Sequence, residues 1–160
     1  QEPAPGENPL DVLEGFVGKT WKGEVSPPGS EETLYDVSRW EWTLNRQAIR
    51  IRHSVGDGLY SGETLMTWDQ RAGTVAYLYA TTGGFFTRGT LRADDTFFEA
   101  TEIVVGSADG ILGVRSTGEL LPDGTLRIIS SSRKRTGWMD ADTTIYVEDP
   151  DAQIIITGDE

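Results

Sequence analysis

Apolar and polar side chains alternate with a period of two through three consecutive segments, residues 34–44, 47–55 and 58–69. That period belongs to a strand with one face buried. The breaks between them, Asn45-Arg46 and Gly56-Asp57, suit two-residue hairpin turns. Asn tolerates positive φ, and Gly at the first central position fits a type II′ turn. A tight turn fixes register, and register decides which side chains share a face. The first turn sets Trp42 opposite Ile49, Trp40 opposite Ile51 and Ser38 opposite His53. The second sets His53 opposite Tyr60, Ile51 opposite Gly62 and Ile49 opposite Thr64. One face then carries Trp40, Trp42, Ile49, Ile51, His53, Tyr60, Met66 and Trp68, and is expected inside. The other carries Arg39, Glu41, Arg50, Arg52 and Glu63, with Arg50 paired to Glu63 and Arg52 to Ser61, and is expected in water.

The rest of the chain extends the pattern. Asn8 as cap and Pro9 at the first helical position predict a short N-terminal helix. Leu10, Val12, Leu13, Phe16 and Val17 form its apolar face, and Gly18 stops it. Residues 19–25 read as the first strand and 27–32 as a loop at a barrel mouth. A four-residue turn at 70–73 sets Met66 opposite Tyr77 and Thr64 opposite Tyr79. Gly83-Gly84 predicts a hairpin that puts Tyr79 opposite Arg88 and Tyr77 opposite Thr90. In that register Tyr77, Tyr79, Arg88 and Thr101 join the interior; a five-residue loop after Asp69 instead puts Leu78 and Ala80 inside and leaves Tyr79 and Arg88 as an exposed cation–π pair. Further strands follow over 96–105 and 111–121 and after Pro122-Asp123-Gly124, a turn that sets Glu119 opposite Arg127. Leu112, Val114, Leu120, Leu126 and Ile128 point inward with the small Ser116, Gly118, Ser130 and Ser132. A last strand runs over 137–147, and residues 152–157 form an edge strand or a tail. With about ten strands joined by short hairpins and no βαβ alternation, the expected fold is all-β. It is an up-and-down antiparallel barrel, because closure removes exposed edges.

Composition narrows the function. A chain of 160 residues forms one domain, here 9–148, between a Pro-rich leader at 1–8 and an acidic tail at 149–160. A net charge of −12 repels phosphate backbones and anionic membranes, so no nucleic-acid partner is expected. The absence of cysteine excludes disulfides, thiolate nucleophiles and Cys-based metal sites. No apolar run reaches membrane-spanning length. A start at Gln1 followed by a Pro-rich stretch reads as a mature chain after signal-peptide removal, which predicts a periplasmic or secreted protein.

Gly18-Lys-Thr-Trp21-Lys-Gly23, following a short helix and opening the first strand, resembles the Gly-x-Trp start of lipocalin-like (calycin) barrels. Trp40-x-Trp42-x-Leu44-Asn45, His53-Ser54, Gly62-Glu63-Thr64, Trp68-Asp69 and Gly137-Trp138 are similar to an uncharacterised bacterial lipocalin-like group. The resemblance spans roughly residues 10–147. It implies a barrel related to lipocalins and fatty-acid-binding proteins, a Trp plug at one end and a small apolar ligand. Some relatives hold haem through a histidine in the C-terminal part. Here Trp138 stands in that region and the sole histidine is His53, a departure that argues against haem of that kind.

His53, on a face with Trp40, Trp42 and Tyr60, can serve as a general base, a ligand anchor or a haem ligand. The plainer alternative is a structural histidine bonded to Ser38 or Tyr60. Trp138 reads as packing. Asp140, Asp142 and the acidic tail match no calcium-loop spacing, and no metal or other cofactor is expected. The leading expectation is a non-enzymatic barrel that binds a small hydrophobic or amphipathic molecule, as monomer or homodimer. Trp40, Trp42, Met66 and Trp68 would form the walls, while His53, Tyr60, Tyr79 and Arg88 would orient the polar end. The alternatives are an isomerase- or cyclase-type enzyme using His53 and Tyr60 as acid and base, and a filled structural barrel without ligand.

Overall fold

The computed structural model describes residues 7–26 and 31–158. The expected leader through residue 6, residues 27–30 of the expected mouth loop and the last two residues lie outside the described residues. The strands are β1 (Thr20–Val25), β2 (Leu34–Thr43), β3 (Ala48–Val55), β4 (Tyr60–Asp69), β5 (Thr74–Thr81), β6 (Phe86–Ala93), β7 (Phe97–Val105), β8 (Gly113–Leu120), β9 (Leu126–Lys134), β10 (Gly137–Trp138) and β11 (Asp142–Glu148). Each of β1 to β9 pairs antiparallel with the next, and β11 pairs with both β9 and β1. Ten strands therefore close into an antiparallel barrel. β10 continues the line of β11 along β9, but Trp138 faces Arg133 whereas Asp142 faces Ser130. The one-residue change of register makes 139–141 a bulge, and the expected single strand is two.

The hairpins decide the interior. The β2–β3 turn has positive φ at Asn45 (53°) and Arg46 (64°) and gives the expected register. Between β3 and β4 the connection is four residues rather than two, so His53 faces Gly62 and Arg52 faces Glu63. A shift by two conserves parity, and every side chain keeps its expected face. The 70–73 turn has the expected length, and Met66 faces Tyr77 while Thr64 faces Tyr79. The Gly83-Gly84 hairpin is one residue longer than expected, which reverses the side chains of β6 and β7. Leu78, not Tyr79, faces Arg88, so Arg88 and Thr101 are exposed on the outer wall. Thr87 and Glu102 occupy the interior in their place.

The expected N-terminal helix is a single 3-10 turn, Pro9–Leu13. Its start is as anticipated, with the Asn8 side chain accepting from the Leu10 N–H at 3.1 Å. Five residues are too few for a stable helix, so the segment is held by what it buries. Leu10, Leu13 and Phe16 are at most 1% exposed. They enter one end of the barrel among Trp21, Trp40, Ile49, Met66, Val75, Leu91, Phe98 and Leu126. The Phe16 ring stacks on Trp40 at 5.6 Å and meets Phe98 edge-on at 5.3 Å. Trp21 is wholly buried, and its indole N–H donates to the Phe16 carbonyl at 3.3 Å. This end is sealed.

On the outer wall Glu41 meets Arg39, Arg50 and Arg52, and Arg50 lies 3.7 Å from Glu63, in the solvated charge cluster the pattern predicts. Glu119 pairs with Arg127 at 2.5 Å, as expected. Trp138 departs from its packing role. It is half-exposed under the Arg115 guanidinium at 4.2 Å. Residues 152–157 form no strand. They lie on the outer wall, where the Ile155 N–H donates to Ser54 Oγ at 2.9 Å and the Thr157 hydroxyl to the Gly58 carbonyl at 3.2 Å. Among the described residues, no helix is long and apolar enough to cross a membrane.

Candidate functional site

The other half of the barrel interior, toward the 56–59, 82–85 and 106–112 connections, is polar. One local device recurs there: a tyrosine lies across a glycine of the neighbouring strand and reaches an ionisable group one strand further on. Tyr79 of β5 lies over Gly62 of β4 and reaches His53 of β3. A Cβ on Gly62 would sit 2.4 Å from the Tyr79 ring. Tyr77, also of β5, lies over Gly89 of β6 and reaches Glu102 of β7, and a Cβ there would sit 2.2 Å from its ring. Tyr146 of β11 lies over Gly23 of β1 and reaches Asp36 of β2. Only glycine lets a flat ring approach a strand this closely.

These contacts join into a chain. The Tyr146 hydroxyl donates to Asp36 Oδ2 at 2.7 Å, and Asp36 Oδ1 lies 2.9 Å from His53 Nδ1. His53 Nε2 is 2.5 Å from the Tyr79 oxygen, which is 2.8 Å from that of Tyr60. A carboxylate accepts only, so Asp36 fixes the proton of His53 on Nδ1. Neutral His53 then accepts at Nε2 from Tyr79, and Tyr60 donates to Tyr79, so the protons of the chain point away from the mouth. Protonated His53 donates at Nε2 instead; Tyr79 turns its proton to Tyr60, and Tyr60 can donate into the barrel. The side chains of Asp36 and His53 are 14% and 17% exposed, dry enough for this polarity to matter. Burial raises the pKa values of Tyr60, Tyr77, Tyr79 and Tyr146 above that of free phenol, so all four act as neutral hydroxyls.

Glu102 is the second ionisable centre. The Thr87 hydroxyl donates to its Oε2 at 2.5 Å and Tyr77 also bonds to it. Burial nevertheless raises its pKa, because it outweighs the two hydrogen bonds. A cavity of about 220 Å³ lies between the centres. Its surface is mainly apolar, from Phe85, Val104, Ile111 and Val114; Tyr60, Tyr79, Thr87, Glu102, Ser107 and Asp109 complete the lining. The Tyr60 and Phe85 rings stack at 6.2 Å. A wider hollow of about 910 Å³ lies by the sealed end, lined in part by Asn8, Asp11, Trp68, Arg92 and Asp94. It is open to water, and neither the His53 chain nor Glu102 lines it. Among the described residues, no cluster of three or more His, Asp or Glu side chains is arranged to hold a metal ion.

Of the eight residues singled out from sequence, His53, Tyr60 and Tyr79 come together, and Tyr60 and Tyr79 line the cavity. Trp40 and Met66 are buried in the sealed half, where Trp42 and Trp68 pack against the same core. Arg88 is exposed over the Phe86 ring at 5.5 Å. His53 is bonded to neither Ser38 nor Tyr60 but to Asp36 and Tyr79, and meets the Tyr60 ring edge-on at 5.7 Å. Sequence reasoning passed over Asp36, Thr87, Glu102 and Tyr146. Asp36 was within reach, since it shares the inward parity of Ser38, Trp40 and Trp42. Glu102 and Thr87 follow only from the true length of the 81–85 loop.

No family model matches the chain, and no curated protein matches it.

Proposed function

We propose that this barrel binds a small, largely apolar molecule of about one ring in size, carrying an oxygen, in the cavity at its open end. The carrying observation is the 220 Å³ space with a mainly apolar surface, lined by Phe85, Val104, Ile111 and Val114 together with the tyrosines Tyr60 and Tyr79. Its size sets the ligand class. Pockets for drug-sized ligands run roughly 300–1,000 Å³, whereas an apolar cavity of about 150 Å³ holds benzene. A fatty acid or a haem is too large for the space; a phenol or a cyclic ketone fits. The ligand's body would lie against Phe85, Val104, Ile111 and Val114, with its oxygen toward Tyr60. Membership of the lipocalin-like barrels belongs to the same proposal, supported by closed antiparallel topology and by a buried Trp21 at the sealed end.

Titration of isotope-labelled protein with phenol and with cyclohexanone, followed by two-dimensional NMR, tests this. The expected result is saturable shifts confined to Tyr60, Tyr79, Phe85, Val104 and Val114. Shifts clustered at Trp68 and Asp94, or none at millimolar probe, would contradict it.

A second reading, acid–base catalysis, is favoured by the carboxylate on His53. A histidine oriented by one partner and facing a hydroxyl chain with the other is the arrangement general acid–base chemistry requires.

A further inference from the structure

We propose that the cavity catalyses proton transfer next to a carbonyl, isomerising a small cyclic β,γ-unsaturated ketone to its conjugated form with Glu102 as base and Tyr60 as acid. This rests on the binding reading above and names its substrate class and chemistry. Three observations carry it. Glu102 and Tyr60 line the same one-ring cavity from β7 and β4. Tyr60, which also meets the Thr81 side chain, joins the chain that runs through Tyr79 and His53 to Asp36. Glu102 has no cation within ion-pair distance among the described residues; its partners are the hydroxyls of Thr87 and Tyr77. Burial raises its pKa, which strengthens it as a base once ionised.

The step balances within the site. The Glu102 carboxylate takes a proton from the carbon between the carbonyl and the C=C. The released pair forms a new C=C, and the carbonyl π pair moves onto oxygen, which takes the Tyr60 proton. Tyr60 is replenished from Tyr79, and Tyr79 from His53 Nε2–H, leaving a neutral dienol. Protonated Glu102 then delivers its proton to the γ carbon, the enol proton returns along the chain, and the conjugated ketone leaves. Nothing is oxidised or reduced, and no co-reactant is needed. His53 is not among the cavity-lining residues. It acts through Tyr79 and is a positioning residue, whereas Glu102 and Tyr60 touch the substrate. The charged and titratable groups facing His53 are Asp36 from β2, Tyr79 from β5 and Tyr60 from β4, with Tyr146 behind Asp36 and Glu102 across the cavity.

The test uses the β,γ-unsaturated cyclohexenone with wild-type protein, reading conversion to the conjugated enone and, by saturation-transfer NMR, binding in the same tube. The expected result is isomerisation ~100-fold or more above buffer at the same pH. The rate falls as acid protonates Glu102. Glu102→Gln brings the rate to that of buffer, Tyr60→Phe lowers it, and His53→Gln lowers kcat while leaving KM unchanged. Saturation transfer with isomerisation at the buffer rate overturns the catalytic proposal and leaves the binding reading standing. No saturation transfer overturns both. If Glu102→Gln does not fold, the wild-type profile decides: a protein-dependent rate that stays flat through the acid range excludes Glu102 as base.

Discussion

β3 enters the sealed half with Ile49, wholly buried against apolar neighbours, and four residues later presents His53 to a carboxylate and a phenol. β7 does the same, from Phe98 and Ala100 to Glu102, and β4 from Met66 to Tyr60. The two halves share strands and parity but are filled by different physics. In the sealed half any side chain of the right volume contributes, because dispersion and burial have no direction. In the open half each polar group needs a partner at a stated atom, and Tyr77, Tyr79 and Tyr146 reach theirs only because a glycine clears the path. The sealed half is therefore where stability is concentrated, and the open half is where the buried titratable groups meet.

That division orders the expected effects. Trp21→Ala removes a wholly buried ring and its hydrogen bond to Phe16. It should destabilise the fold by ~3–5 kcal/mol, read from denaturant titration. Gly62→Ala comes next. Its methyl would meet the Tyr79 ring at 2.4 Å, so Tyr79 must leave His53. The expected loss is about 1–3 kcal/mol, together with a changed His53 signal. A Gly62→Ala protein with an unaltered histidine spectrum would contradict the account of Tyr79.

Third is a pH effect whose sign differs between the inner and outer acids. Burial holds the pKa of folded Glu102 above its ordinary 4.5, so the native chain keeps a proton that the unfolded chain has released. Stability should fall as pH rises from the unfolded value through the folded one. Glu102→Gln should flatten this fall. For Glu41 burial also works upward, but the hydrogen bond from Arg50 and the charges of Arg50, Arg52 and Arg39 outweigh it and lower the pKa. Its contribution should be present above the ordinary value and lost as pH falls through the folded one. Glu41→Gln therefore weakens the protein at neutral pH more than in acid. Equal pH profiles for the two variants would remove the distinction. The smallest effect is expected from Arg46→Ala. Arg46 ties the 3-10 turn to the β2–β3 turn through Asp11 at 2.9 Å and Glu14 at 2.5 Å. These pairs are exposed, so the change should be slight and should vanish in high salt.

The sealed half was legible in the sequence because it rests on parity alone. Trp40, Ile49 and Met66 are inward whether the β3–β4 connection has two residues or four. The open half was legible up to β5 and no further. Tyr79 was placed correctly from the 70–73 turn, but one added residue in the 81–85 loop sent Arg88 outward and brought in Thr87 and Glu102. Two adjacent glycines mark a hairpin without fixing whether its loop is odd or even, and parity after it hangs on that count. The glycines across from Tyr77, Tyr79 and Tyr146 were visible as small residues. Their use depends on which ring lies opposite, which is a property of register and not of composition. The N-terminal segment shows the same limit: its cap and apolar residues were readable, but its length as a helix was not.

The most direct test of the open half uses the chain's single histidine. Labelling histidine with nitrogen-15 gives signals from His53 alone, so no assignment is needed. His53 should carry a bonded proton on Nδ1, accept at Nε2 from Tyr79 in the neutral form, and change at Nε2 when cyclohexanone is added. A His53 with the tautomer mixture of a free imidazole, indifferent to the ketone and to Tyr79→Phe, would contradict this arrangement.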